Sequence, residues 1–327
     1  MSIHSKIMSW TAATALAFTA LAPVAHAQDY PVRPIRLIVS QGAGGSTDTI
    51  SRMWAEHAAK TLGQPVVVEN RPGAGGIIAA QAVLSQPADG YTLFLAGVSQ
   101  MVLNKFVYKP LAYNPEKDFV GVAMLTNTPF VLVAHPATGF KNFNDLKAAA
   151  QAEPEKLNYA SSGRGNSTHL VVELVQKQAG IRMSHIPYRA ETEGVVSTVA
   201  GNTNVMAPVL STALPLIKDG KLVPLAILGS SRSPDLPDVP TAKELGMNGF
   251  EDLGWAGIAA KTGTPEIALK KVNEATNAFL DDPAVLAKLK SMQTEAVNGD
   301  TQALMKYTEK DTVKWRDAIG DIELSAN

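Results

Sequence analysis

One heptapeptide pattern occurs twice in the chain. Gly42-Ala43-Gly44-Gly45-Ser46-Thr47-Asp48 and Gly163-Arg164-Gly165-Asn166-Ser167-Thr168-His169 both read G-x-G-x-S-T-x, 121 residues apart. The same offset aligns Ser40 with Ser161. It also keeps the following apolar positions in step: Ile50 with Val171, Met53 with Leu174, Trp54 with Val175. Each copy follows a short β-rich run and opens a segment of helical periodicity. A strand–loop–helix unit repeated at this distance points to two similar α/β domains rather than one continuous core.

The flanking sequence fits that organisation. Arg36–Val39 reads as a strand, and the helix after the first loop carries Ile50, Met53, Trp54, Ala58 and Leu62 on one face, with Gly63 ending it. Val66–Val68 and Tyr91–Ala96 read as strands, with a turn-rich Asn70–Gly76 loop and an alanine-rich helix, Ile77–Leu84, between them. The alternation restarts with strand Phe130–Val133, helix Leu146–Ala152, strand Leu157–Ala160 and helix Leu170–Ala179. Strands follow near Met183–Tyr188, Thr203–Ala207 and Val223–Leu228. Strands alternating with single helices predict a mixed, mainly parallel sheet flanked by helices in each domain. Ser230–Pro240, with Pro234, Pro237 and Pro240, reads as a connection between domains. The tail reads as three helices over Pro265–Leu280, Ala284–Met292 and Thr301–Ile319.

The first residues form an address rather than part of the fold. Lys6 precedes an apolar stretch, Ile7–Ala22, followed by Pro23 and the small-x-small pattern Ala25-His26-Ala27. These are the parts of a secretory signal peptide, with cleavage expected after Ala27. Without the leader the chain carries 28 basic and 30 acidic residues, a net charge of −2. That balance excludes a basic nucleic-acid binder. The chain has no cysteine, which removes disulfides, thiol nucleophiles and thiolate metal sites. A secreted chain without cysteine suits a bacterial periplasm.

The paired loops have a physical use. Glycine lets backbone N–H groups approach a ligand, and the first turn of a helix leaves its N–H groups unpaired. The helix dipole adds positive potential, so such a site attracts anions without lysine. Hydroxyls on Ser46, Thr47, Ser167 and Thr168 add donors. Two such loops facing a cleft would grip a carboxylate from both sides. The alternative is that both are tight turns with N-caps, which favour the same residue types.

Further segments carry a resemblance. They include Tyr30–Val39, Leu62-Gly63-Gln64-Pro65, Asn70-Arg71-Pro72-Gly73-Ala74-Gly75-Gly76, Ala88–Leu93, Leu157–Gly163, His185–Tyr188 and Leu236–Thr241. In these the chain resembles the Bug family, the solute receptors of tripartite tricarboxylate transporters. The resemblance implies a two-domain periplasmic binding protein of the Venus-flytrap kind, type II. Its domains would be 28–126 with 250–327, and 127–249, after a leader at 1–27. It implies a monomer that captures a small carboxylate and delivers it to membrane permease subunits, with no cofactor and no chemistry of its own. Carried over residue by residue, the ligand site is Gln41, Gly44, Gly45, Ser46, Thr47 and Asp48 in one loop. In the other it is Ser161, Ser162, Gly163, Arg164, Gly165, Asn166, Ser167, Thr168 and His169. The chain departs from the family pattern at Ser40-Gln41, Ala43-Gly44-Gly45, Arg189-Ala190 and Met206–Val209, all in or near the expected cleft. The ligand is left open between aliphatic di- or tricarboxylates and aromatic acids.

Rival readings have weaker support in the residues. Neither loop continues to G-x-G-x-x-G, no Walker lysine follows, and no G-x-S-x-G elbow exists, which disfavours an α/β enzyme acting on a small anion. His169 and Glu173, at i and i+4, are too few for a metal site, and Glu173 reads as a solvated helix face. His135 and His185 read as structural. A periplasmic sensor feeding a two-component system remains open. Arg164 or Arg189 is a candidate for a second anionic group. Trp255 lies where the chain returns to the first domain, as hinge packing or cleft lining, and Trp54 and Trp315 read as core.

Overall fold

A computed structural model of the chain describes residues 29–319. The leader and its cleavage after Ala27 lie outside the described residues. The first half contains β1 (Ile35–Val39), α1 (Ser46–Leu62), β2 (Val66–Asn70), α2 (Ile77–Leu84) and β3 (Thr92–Gly97). A wide helical turn, Ser99–Leu103, runs into α3 (Asn104–Val107), followed by α4 (Pro115–Asp118) and β4 (Phe119–Asn127). The second unit has β5 (Phe130–Ala134), α5 (Phe143–Ala152), β6 (Asn158–Ser161), α6 (Ser167–Ala179), β7 (Ser184–Pro187), α7 (Glu191–Val199), β8 (Val205–Met206), α8 (Leu210–Lys218) and β9 (Val223–Leu228). The chain then returns through β10 (Trp255–Lys261), α9 (Glu266–Asp281), α10 (Pro283–Ser291), β11 (Glu295–Ala296) and α11 (Ala303–Ile319).

The strands form two sheets, ordered β11-β4-β10-β3-β1-β2 and β7-β6-β8-β5-β9. Both are mixed and flanked by helices, as the alternation predicts. They are less parallel than expected. Four strand pairs are parallel, β1 with β2 and β3, and β6 with β7 and β8. Five are antiparallel. The returning strand β10 inserts antiparallel between β3 and β4, and β5 runs against both its neighbours. Crossings between the sheets therefore cost the strict βαβ order.

Alternation of side chains along the strands divides each core. Leu37, Leu93, Leu95 and Ile258 pack with Trp54 of α1 and Val272 and Phe279 of α9. Ile38, Phe94 and Ala96, on the opposite face, pack with α2 and the Met101–Leu103 turn. In the second sheet Val131, Val133 and Ile227 face Val195 of α7 and Leu210 and Leu214 of α8. Leu132, Tyr159 and Leu228 face α5 and α6. Trp54 and Trp315 are buried core residues, as expected. Val39 and Ser161 end their strands under this packing, so the loops that follow are carried at fixed places on each sheet.

The chain crosses between the sheets at Thr128-Pro129 and again at Leu253-Gly254. The two crossings lie side by side, with the Thr128 amide donating to the Gly254 carbonyl at 3.2 Å. A Cβ on Gly254 would collide with the Thr128 carbonyl, so the approach requires glycine. Ser230–Pro240 is irregular, as its prolines indicate, but it is not the crossing. It folds back on the second sheet, where the Ile227 amide donates to Pro240 O and the Ala242 amide to Ile227 O, both at 2.8 Å. Arg232 and Glu244 tie the same loop together at 2.9 Å.

Candidate functional site

The two echoed loops have the same local structure. Helices α1 and α6 begin at Ser46 and Ser167, matched positions of the repeat. Gly44 and Gly165, also matched, are both in the left-handed region, with φ of +85° and +73°. The Gly44 amide donates to Asp48 Oδ2 at 3.0 Å, and the Gly165 amide donates to His169 Nδ1 at 3.2 Å. Each loop is thus folded onto the side chain at the seventh position of its own pattern. Neither helix start, Gly45 or Asn166, receives a side-chain cap. In α6 the Ser167 amide donates to Ser99 Oγ and the His169 amide to the Asn166 carbonyl, both at 3.0 Å, which leaves the Thr168 amide and the first-turn amides of α1 to a partner from outside the helix.

A third loop joins them. Gly73-Ala74-Gly75-Gly76 has positive φ at all four residues, 120°, 47°, 61° and 89°. It opens α2, again without a side-chain cap. Gln100 Nε2 and Asn104 Nδ2 both donate to the Gly75 carbonyl, at 3.0 and 3.1 Å, and fix this turn from below. A Cβ on Gly76 would collide with the Gln100 side chain.

A cavity lies between the sheets at the carboxyl ends of β1, β3 and β6, the place where open α/β sheets bind ligands. Of the sequence-predicted residues, Gln41, Thr47, Ser162, Asn166 and Ser167 line it. Gly45 and Ser46, with Gln41 and Thr47, line a smaller adjoining pocket. The lobes touch across the cavity on both sides. The Ser167 amide donates to Ser99 Oγ at 3.0 Å, and Tyr108 Oη donates to the Arg164 carbonyl at 2.8 Å.

Gly44, Asp48, Ser161, Gly163, Arg164, Gly165, Thr168 and His169 are not among the lining residues. Most of them build the loops instead. Asp48 accepts from Gly44, from Arg52 Nε at 3.0 Å and from Asn70 Nδ2 at 2.9 Å. Burial alone would raise its pKa, but hydrogen bonds from Arg52, Gly44 and Asn70 outweigh it and hold the carboxyl below its usual range. Thr168 Oγ1 accepts from the Ser162 amide at 2.8 Å and contacts Ser162 Oγ at 2.7 Å. Ser161 Oγ lies 2.5 Å from His185 Nε2. Arg164 has an exposed side chain outside the cavity lining, whereas the exposed Arg189 sits on it.

His169 and His185 stack at 4.0 Å, with Tyr159 completing the pile against His185 at 4.9 Å. Burial pushes both imidazoles down, His169 to about 3, aided by His185 and Arg164, and His185 to about 4, aided by Arg164. Glu173 is not a solvated face. Its carboxylate accepts from Tyr159 Oη and from Gln176 Nε2. Burial raises its pKa, with Tyr159 and Gln176 partly offsetting it. Helix α6 is buried on this side against β6 and β7, which periodicity alone did not show. Among the described residues, no cluster of three or more His, Asp or Glu could hold a metal ion.

The sequence reading missed several lining residues. Gly73, Gly75 and Gly76 lacked the Ser/Thr signature of the other loops, although a glycine-rich run opening a helix was the available signal. Gly97–Gln100 and Glu191 carried no motif. Trp255 combines both readings offered for it. It lines the cavity, and its buried indole donates to Asp311 Oδ2 at 2.5 Å beside the crossing.

Residues 50–324 match the tripartite tricarboxylate transporter family receptor. A protein of Pseudomonas sp. strain P51, named for the tcbD-tcbE intergenic region, is 33% identical over 318 residues, covering 97% of this chain and 94% of that one. The structure of Rhodopseudomonas palustris Rpa4515 with adipate superposes with a TM-score of 0.85 at 29% identity, covering 89% of this chain and 97% of the other. MatC from the same organism, with bound malate, gives 0.84 at 31% identity, covering 89% and 100%.

Proposed function

The chain belongs to the tripartite tricarboxylate transporter receptor family, and from that premise we propose that it captures a small carboxylate between its two lobes and delivers it to membrane permease subunits. The observation that carries the ligand class is the pair of uncapped helix starts, at Gly45 and Asn166, on loops that open into one cavity. First-turn amides and the helix dipole favour an anion there. Thr47, Ser162 and Ser167 supply hydroxyls, and Gln41 and Asn166 supply amide donors. Gly76 starts a third uncapped helix on the same cavity. The bound adipate of Rpa4515 and malate of MatC support the reading, since both are small dicarboxylates.

In this account the loop scaffold is prepaid. Asp48, Thr168 and His169 hold loop amides in place before the ligand arrives, so little ordering remains on binding. The lobes, 28–126 with 250–327 and 127–249, close about Thr128 and Gly254. The leader is removed after Ala27, and the receptor works in the periplasm.

A thermal-shift screen of the chain beginning at Gln28 tests the proposal, with adipate, malate, citrate and benzoate as probes. A receptor for one of these melts higher as its concentration passes the dissociation constant. No shift with any aliphatic or aromatic carboxylate would refute it.

A further inference from the structure

Glu191 stands out among the residues that line the cavity. The lining is glycine, hydroxyl, amide and apolar groups, with Arg189 and Glu191 as its charged residues. Arg189 is exposed, while Glu191 is half-buried and lines both the main cavity and the smaller pocket beside Thr47. It makes no ion pair among the described residues. A carboxyl group in a cleft built to attract anions needs an explanation, because two ionised carboxylates side by side repel each other.

We propose that Glu191 is a specificity-determining residue that engages the ligand's second polar group as a neutral carboxyl, its O–H donating to that group. A dicarboxylate would then bind with one proton taken from solvent onto Glu191, and no bond of the ligand changes. This rests on the carboxylate-receptor reading and names what lies beyond the loops that hold the first carboxylate.

The surroundings permit the neutral form. Burial pushes the Glu191 carboxyl up to about 7, and the Thr212 hydroxyl and Val209 amide offset this only in part. The groups around it leave little to charge it. On its own segment the charged neighbours are Arg189 and Glu193, whose carboxylate accepts from the Arg189 amide at 3.2 Å. In the first turn of α1 the titratable residue is Asp48, already satisfied by Gly44, Arg52 and Asn70. The start of α8 contributes Val209 and Thr212, the stretch after β3 contributes Gly97–Gln100, and the loop after β6 contributes Ser162, Asn166 and Ser167. None of these is ionisable. An O–H at this place donates to a carboxylate, carbonyl or hydroxyl oxygen of the ligand, whereas an ionised Glu191 would call for a cationic nitrogen.

Calorimetric titration with adipate and malate, from pH 6 to pH 8 in buffers of different ionisation enthalpy, tests this. Wild type should take up close to one proton per dicarboxylate bound above pH 7, and affinity should fall by up to about tenfold per pH unit there. Glu191→Gln, which keeps a neutral donor of similar shape, should bind within a few-fold of wild type at pH 6 and lose that pH dependence. Glu191→Ala, measured alongside, should weaken binding at pH 6 and also lose the pH dependence, so a misfolded Gln variant would not end the test. Proton release on binding, loss of binding by Glu191→Gln at every pH, or a pH dependence shared by wild type and both variants would overturn the inference while leaving a carboxylate receptor. Failure of both dicarboxylates to bind would overturn the dicarboxylate reading and this inference together.

Discussion

The backbone N–H of Gly165 donates to Nδ1 of His169, four residues on, at 3.2 Å. The matched pair in the other lobe, Gly44 and Asp48, makes the same bond at 3.0 Å with a carboxylate in place of an imidazole. Both glycines have positive φ, so each amide points back over the first turn of its helix. The repeated pattern thus encodes a loop shape, and its seventh residue is part of the scaffold. The residues that line the cavity are others of the same loops, Thr47 in one lobe and Ser162 and Ser167 in the other.

Asp48→Ala should therefore act on the loop before it acts on the ligand. It leaves the Gly44 amide without its acceptor and removes one of two partners from both Asn70 Nδ2, which keeps the Gln41 carbonyl, and Arg52, which keeps Asn70 Oδ1. Hydrogen bonds to a charged group are worth roughly 1.5–3 kcal/mol, so the variant should melt lower. Affinity should fall about 10-fold or more through lost loop order. Differential scanning calorimetry and ligand titration on the same sample check this. A variant that keeps full stability and loses only binding would make Asp48 a direct ligand group instead.

Gly76→Ala should damage the third loop. Position 76 has a φ of +89°, which alanine adopts at a cost, and the added Cβ meets the Gln100 side chain. The Gln100 hydrogen bond to Gly75 O would be displaced with it. Weaker binding and a lower melting temperature are expected, while the same substitution at Gly139, where a Cβ meets nothing within 4 Å, should lower stability less and leave binding unchanged. Equal binding by both variants would remove this loop from the site.

Much of this was legible in the sequence. The repeat located both loops, because glycine and hydroxyl residues are chosen there by backbone geometry, although α6 starts at Ser167, three residues before the Leu170 that periodicity indicated. The strands at 35–39, 66–70 and 223–228 were visible as β-branched and leucine-rich runs between turns. The strands β4 and β10 were not visible. Trp255–Lys261 is rich in alanine and glycine, which have weak β propensity, and Gly257 is there because a Cβ would come within 2.6 Å of Ala123 O on the neighbouring strand. Its antiparallel place between β3 and β4 depends on residues more than 100 positions away, beyond any local pattern. Ser99 and Glu191 were missed for the same reason, since each gains its role only from what the other lobe or a distant helix brings to it.

Acid should loosen the second lobe through its two buried histidines. His169 and His185 have folded pKa values of about 3 and about 4, against about 6.5 in an unfolded chain. As pH falls below about 6.5 the unfolded state takes up protons that the folded state refuses. Stability is full above that point and is lost progressively toward pH 4 for His185 and pH 3 for His169, by at most about 1.4 kcal/mol per pH unit for each. His185→Gln should melt lower at pH 7, having lost the Ser161 contact and the stacking, but with a shallower decline from pH 6.5 to pH 4.5. Parallel melting curves for wild type and variant over that range would contradict the assignment.

Closure should be visible in solution. The two crossings, Thr128-Pro129 and Leu253-Gly254, are the covalent links between the lobes, and the Ser99–Ser167 and Tyr108–Arg164 contacts span the cleft. Small-angle scattering with a saturating ligand should give a radius of gyration no larger than that of the free protein, and smaller if the free protein opens. Ser99→Ala, which removes the acceptor for the Ser167 amide, should widen the free form. Identical profiles for the free variant, the free wild type and the bound form would indicate a rigid cleft.

The most direct test of the account is the charge of the bound group. Calorimetry should compare adipate with adipamide and malate with malamide, on wild type and on Thr47→Ala. The helix starts at Gly45, Gly76 and Asn166 favour a carboxylate over its amide. A hydrogen bond to a charged group is worth roughly 1.5–3 kcal/mol, so the diamide should bind at least about 10-fold more weakly than the acid. Thr47→Ala should lower affinity for the acid by about 10- to 100-fold, with the fold retained. Amides that bind as tightly as their acids would contradict the carboxylate receptor.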